Sequence, residues 1–160
     1  MEFFEDANGM YHDGDYAAPA GYAVDYVTLI TDRDRVNSRG QPLDGFRAVL
    51  QQDRANVNRF GKPDSYVKNG VDANGQAAQW TIFDQKDSFF VTPQRRAMIL
   101  SMPLVFTCGA FGQPVETDNS PSYRRGLDRI AAGPGPIQVF AVVVKLPRGG
   151  YGLYLSFDGS

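Results

Sequence analysis

Residues 137–146, IQVFAVVVKL, constrain the fold more than any other stretch of the chain. The run is apolar on both faces except at Gln138 and Lys145, as expected of a central strand covered from both sides. Pro147-Arg148-Gly149-Gly150 supplies a turn, after which Tyr151, Leu153, Leu155 and Phe157 alternate with Gly152, Tyr154 and Ser156. That period of two gives the second strand a single core face. The pattern predicts a C-terminal β-hairpin at the centre of a mostly antiparallel sheet.

Other segments supply what packs on it. Residues 22–31 alternate strictly, with Tyr22, Val24, Tyr26, Thr28 and Ile30 on one side, and read as a strand. A helix follows over 44–60: Asp44 is its N-cap, Phe46, Val49, Leu50, Val57 and Phe60 form one side, and Gly61 with Pro63 stops it. Thr92-Pro93 places proline at a first helical position and predicts a short helix over 93–102, halted by Pro103. A strand continuing from Ser88 into Met102 is the competing reading. Ser120-Pro121 opens a third helix carrying Tyr123, Leu127 and Ile130 and ending at Gly133.

Residues 80–83 and 88–91 read as strands around a turn at 84–87, and 104–107 as a short buried strand. Asp32-Arg33-Asp34-Arg35 and the residues to Gly40 read as a charged loop. Asp6-Ala7-Asn8-Gly9 suits a tight turn that would pair Phe3-Phe4 with Met10-Tyr11, and Asp72-Ala73-Asn74-Gly75 repeats the tetrapeptide before another strand. Four shared residues are turn convergence, not an internal repeat. Strands and helices are interspersed without regular βαβ alternation, so the fold class is α+β. At 160 residues the chain is one domain: a turn-rich segment over 1–21, then a single α+β domain over 22–160.

Composition narrows function mainly by subtraction. The chain has one histidine, His12, and one cysteine, Cys108, so no internal disulfide forms. No imidazole pair is available for a transition metal, and no metal or other cofactor is expected. The net charge of -2 offers no global attraction to nucleic acid or to an anionic membrane. The longest apolar run, Val139 to Val144, is six residues, too short to span a bilayer. The first residues have neither a basic n-region nor an apolar h-region, so the chain reads as cytoplasmic, or as exported with its leader removed. Arginine outnumbers lysine twelve to four, which suits planar bidentate contacts and is also what a GC-rich bacterial genome produces. Phosphate-loop, dinucleotide, nucleophile-elbow and H-E-x-x-H motifs are all missing.

The candidate site residues are few. Cys108 sits where an apolar strand meets a glycine loop; it is a nucleophile if a base reaches it and a buried, inert thiol otherwise. His12 lies among Asp6, Asp13 and Asp15, in a solvated loop. Asp53 falls in the middle of the apolar stripe of the 44–60 helix. An ionised carboxylate there needs a partner, so Asp53 is an acid at the floor of a cleft, or one half of an ion pair with an arginine, or lies off the core on a helix rotated so that Val49 carries it instead. Arg95 and Arg96, in the first turn of a predicted helix, and Arg124 and Arg125 are candidates for binding an anion or an acidic partner.

The expected function is that of a soluble, non-catalytic binding domain that recognises a protein partner, with a small molecule as the alternative ligand and nucleic acid excluded. The rivals are a small hydrolase or toxin-like enzyme run by carboxylates and arginines, and a structural module of a phage or secretion apparatus.

Overall fold

The computed structural model of the protein describes residues 3–5, 11–13, 21–107, 121–146 and 149–157. In chain order the strands are β1 (Phe3–Glu5), β2 (Tyr11–Asp13), β3 (Tyr22–Ile30), β4 (Ser65–Val71), β5 (Ala77–Phe83), β6 (Leu104–Thr107), β7 (Ile137–Lys145) and β8 (Tyr151–Phe157). The helices are α1 (Phe46–Arg54), α2 (Pro93–Ala97) and α3 (Pro121–Ala132), with a short 3-10 helix at Asp32–Arg35 and another at Met98–Leu100. The fold is an α+β single domain.

Four strands form the main sheet in the order β3-β7-β8-β6, so the C-terminal hairpin occupies its two central positions. The β3–β7 and β7–β8 pairs are antiparallel and β6–β8 is parallel. Register follows the burial pattern. Val139, Ala141 and Val143 of β7 point into a core shared with Tyr26 and Ile30 of β3, Leu153 and Leu155 of β8, Val49 and Leu50 of α1, and Ile130 of α3. On the opposite face Val142, Val144 and Tyr154 form a smaller apolar cluster with Leu146. Each fully buried valine or leucine is worth about 1.5–3 kcal/mol relative to exposure, which is why β7 tolerates almost no polar residue. The hairpin closes where Gly149 and Gly150 take φ of 93° and 78°, a region that favours glycine.

Several elements differ from expectation. The N-cap of α1 is Gly45, not Asp44. Beyond Arg54 the helix widens into a π turn over Ala55–Arg59. The wider turn shifts the phase of the stripe, so Val57 stays buried while Phe60 is left exposed. Residues 88–91 are not a strand: Asp87 Oδ2 accepts from the Phe89 and Phe90 N–H groups at 2.9 and 2.6 Å and bends the chain there. The 80–83 strand is longer, and β5 pairs with β4, which the hydrophobic pattern does not mark. Asp32–Arg35 is a 3-10 helix with Asp34 and Arg35 buried, rather than a charged surface loop. By contrast Thr92 caps α2 through Oγ1, accepting from Arg95 N at 3.1 Å, with proline at the first position as expected. The Asp72 tetrapeptide does form the tight turn of β4–β5, its Oδ1 accepting from Asn74 N and Gln76 N. The matching tetrapeptide at 6–9 lies outside the described residues, although β1 and β2 pair on either side of it.

Candidate functional site

A buried polar network lies between β3 and α1. Thr28 points from the core face of β3 and meets Asp53 and Arg54 at the end of α1 and Asp84 just after β5. The Thr28 hydroxyl lies 2.7 Å from both Asp53 oxygens and 2.7 Å from Asp84 Oδ1, and it accepts from Arg54 Nη2 at 2.7 Å. Arg54 is wholly buried. Its Nε donates to Asp53 Oδ2 at 2.8 Å, its Nη1 to Asp87 Oδ1 at 3.0 Å and to the Gln85 carbonyl at 2.9 Å, and its guanidinium stacks 4.1 Å above the Tyr26 ring. Four directed bonds and a ring face replace the water that a guanidinium surrenders on burial.

The electrostatics follow from burial. Asp53 is 1% exposed, and burial outweighs the attraction of Arg54 to push its carboxyl up to about 7. Asp34, bonded by Thr31 N and Asn56 Nδ2, is pushed up to about 8 by burial and then by the nearby Asp53 charge. Burial likewise raises the Tyr26 phenol. The carboxylates of Asp53 and Asp87 hold the Arg54 proton more tightly still, against the opposing effect of its burial.

The network roots a ribbon. Asp84 also accepts from Leu29 N at 2.6 Å and from Asp64 N at 2.6 Å. The side chain at the end of β5 thereby joins both legs of β4–β5 to the edge of the main sheet. Asp64 is held in turn by Thr31 Oγ1 at 2.7 Å and by Arg33 at 3.1 Å. Gln85 donates its N–H to the Val27 carbonyl and accepts from Val27 N through Oε1, so it covers the β3 edge where a strand would otherwise add.

From that root the ribbon stands clear of the core on both faces. Directly paired residues share a face, and the register puts Val67, Val71 and Phe83 on one and Tyr66 and Trp80 on the other. All five are exposed, from Trp80 at 45% to Val71 at 64%, and they are five of the nine large exposed hydrophobics among the described residues. The fourteen strand residues carry a single charge, Lys68. Gly70 lets the Trp80 ring lie flat on the strand: a Cβ there would sit 2.5 Å from Cζ3.

The residues singled out by sequence do not gather at one place. Asp53 is paired with an arginine, and the partner is its own neighbour Arg54. Arg95 stacks on Phe89 at 4.2 Å and on Tyr151 at 5.3 Å. Arg96 is buried, and its Nη1 donates to the Phe90 carbonyl at 3.2 Å. Arg124 and Arg125 are exposed on α3. His12 is on β2 opposite Phe4, and Cys108 lies outside the described residues. Among the described residues no group of three His, Cys, Asp or Glu is placed to hold a metal ion, and no helix is long and apolar enough to cross a membrane. Arg35 is a structural cap: its Nε and Nη2 donate to the Ile130 and Arg129 carbonyls at the end of α3, and its Nη1 to Gly135 O. Sequence reasoning missed Thr28, Arg54, Asp84 and the β4 residues. The one available signal was Asp84 and Asp87, three residues apart beside an aromatic-rich segment.

The chain matches no family model, no curated protein and no solved structure.

Proposed function

We propose that this is a non-catalytic binding domain that recognises a protein partner through the β4–β5 ribbon. The observation that carries the proposal is the concentration of exposed Tyr66, Val67, Val71, Trp80 and Phe83 on an almost uncharged ribbon whose root is tied into the core. Large apolar side chains exposed together on one element, here on both of its faces, are the kind of surface that marks interaction sites. Aromatic anchors on a pre-organised scaffold lose little entropy on binding. Neither β4 nor β5 has a second partner strand among the described residues, so either edge can accept a strand from another chain. The partner's matching surface is an apolar, low-charge face or strand edge. Single-stranded nucleic acid fits poorly, because stacking aromatics need flanking cations to neutralise phosphates and the ribbon strands have one lysine. Asp53, sealed beneath β3, favours binding over chemistry run by that carboxylate.

The test uses Trp80, the single tryptophan of the chain, as its own reporter. Proteins captured by the wild-type domain are purified and titrated back, and Trp80 emission should move to the blue as the ribbon is covered. The double variant V67S/F83S should keep the circular dichroism of the wild type and lose the complex. Capture that is equally strong with the double variant overturns the ribbon as the contact surface. Self-association of the isolated domain that the double variant abolishes would favour a structural module instead.

A further inference from the structure

A cleft on the far side of α1 has a different chemistry. Its volume is about 300 Å³, and Gln51, Gln52 and Arg59 line one wall while Leu43, Pro93 and Arg96 form the rest. Residues 48, 51, 52, 55 and 59 make a single stripe on α1 and its π turn, opposite the stripe that bears Asp53 and Arg54. Among the described residues no acidic side chain lines the cleft.

Arg96 is the unusual member. It is 4% exposed, yet among the described residues it makes one hydrogen bond, to the Phe90 carbonyl, and no ion pair. A guanidinium has five N–H donors and stays charged at any physiological pH. Buried charges in proteins are normally paired, because an unpaired one keeps none of the hydration it gave up. Arg54, equally buried, shows what satisfaction looks like in this same protein: two carboxylates, a hydroxyl and a carbonyl. Arg59, the second cation of the cleft, stacks 4.9 Å over Phe60 and makes no ion pair among the described residues.

We infer that the Arg59–Arg96 cleft binds a small organic oxyanion, a carboxylate or phosphate group on a short carbon body. The two arginines supply the counter-charge, and the planar fork of a guanidinium suits paired oxygens. Leu43 and Pro93 offer an apolar wall to the body of the ligand. Gln52 gives its Nε2 to Asn56 Oδ1, which leaves its Oε1 as an acceptor for a ligand hydroxyl or amide. The volume lies at the small end of ligand pockets, so it admits a metabolite-sized anion and excludes a nucleotide.

The test is a titration at fixed ionic strength, with inorganic phosphate in one arm and butyrate in the other, each against chloride. The readouts are the arginine Nε–H resonances and the melting temperature. At least one anion should shift the Arg59 and Arg96 signals in a saturable way and raise the melting temperature, and which arm responds identifies the oxyanion. Arg59→Gln, at an exposed position, should leave the unliganded melting temperature unchanged and weaken binding about tenfold. Arg96→Lys, which keeps the charge and loses the planar fork, should weaken it as well. No saturable response to either anion, or a response that survives both substitutions, overturns the site. Neither result bears on the ribbon, which lies on other elements.

Discussion

Asp53 and Arg54 are adjacent in sequence, both wholly buried, and both bonded to the one hydroxyl of Thr28. Successive helical residues point about a hundred degrees apart, so burying both takes the full width of the core-facing stripe, as Val49 and Leu50 do one turn earlier. Here α1 ends at Arg54 and the long guanidinium bends back along the carboxylate of its neighbour. Thr28 has one proton to give and three carboxylate oxygens at 2.7 Å. The arrangement is satisfied when Asp53 carries a proton of its own and donates it to Thr28, leaving the threonine proton for Asp84.

Removing one member of this set strands the others. Asp53→Ala removes the acceptor of Arg54 Nε and one partner of the Thr28 hydroxyl, and leaves Asp87 as the remaining carboxylate on Arg54 among the described residues. It should destabilise the domain by about 3–5 kcal/mol, the scale of other disrupted buried charge networks. Asp53→Asn, which keeps the shape and the hydrogen-bonding atoms, should cost clearly less. Urea unfolding of the two variants beside the wild type measures the difference. Equal losses would show that volume, not charge satisfaction, governs the site.

The same burial predicts a pH dependence. Asp53 and Asp34 are pushed up to about 7 and about 8, above the unfolded carboxyl value of about 4. The folded protein therefore binds these protons more tightly than the unfolded chain, and stability declines as pH rises through that window. The melting temperature should fall between about pH 4 and about pH 8, by roughly 2–4 °C for each kcal/mol lost. Asp53→Asn should flatten the slope between about pH 4 and about pH 7. Asp34→Asn should flatten it up to about pH 8, since Asp34 alone still contributes between about 7 and about 8. A stability that rises over that interval contradicts the assignment.

Asp84 ties the ribbon to β3, so its loss should loosen β4–β5 before it unfolds the sheet. In Asp84→Ala the N–H groups of Leu29 and Asp64 lose their acceptor. Hydrogen exchange should accelerate over residues 64–83 by about tenfold or more while β7 and β8 remain protected. Uniform acceleration across all strands would mean that the network supports the whole domain and not the ribbon in particular.

Trp80 offers a local check of the ribbon surface. Gly70→Ala places a Cβ where the indole lies, and the exposed ring is free to swing aside. The emission should move to the red, with stability changed by no more than about 1 kcal/mol, in line with other exposed-surface changes. An unchanged spectrum would show that the ring does not rest on residue 70 in solution.

How much of this was readable in the chain depends on the range of the interaction. The C-terminal hairpin, β3, the Thr92 cap with Pro93, and the Asp72 turn are written in local period and local stereochemistry. β4 was missed because Ser65–Val71 packs neither face on the core, so burial left no alternation there. Residues 88–91 looked like a strand because Phe89 and Phe90 are buried, but they are buried in a bend held by Asp87. The position of Asp53 in an apolar stripe did announce a partnered buried carboxylate. That the partner would be Arg54, with Thr28 and Asp84 closing the set, depended on β3 and the residues just after β5 arriving from 25 and 31 residues away.

By itself the amino-acid order determined the fold class, the central strand, most of the helices, and the scarcity of groups able to run imidazole or thiol chemistry. These are consequences of composition and of periods spanning a few residues. Only the tertiary structure decided which charges are buried and paired, which buried arginine lines a cleft, and which aromatic residues are left in water. Those outcomes depend on the distance between residues far apart in the chain, because desolvation and Coulomb attraction act through space.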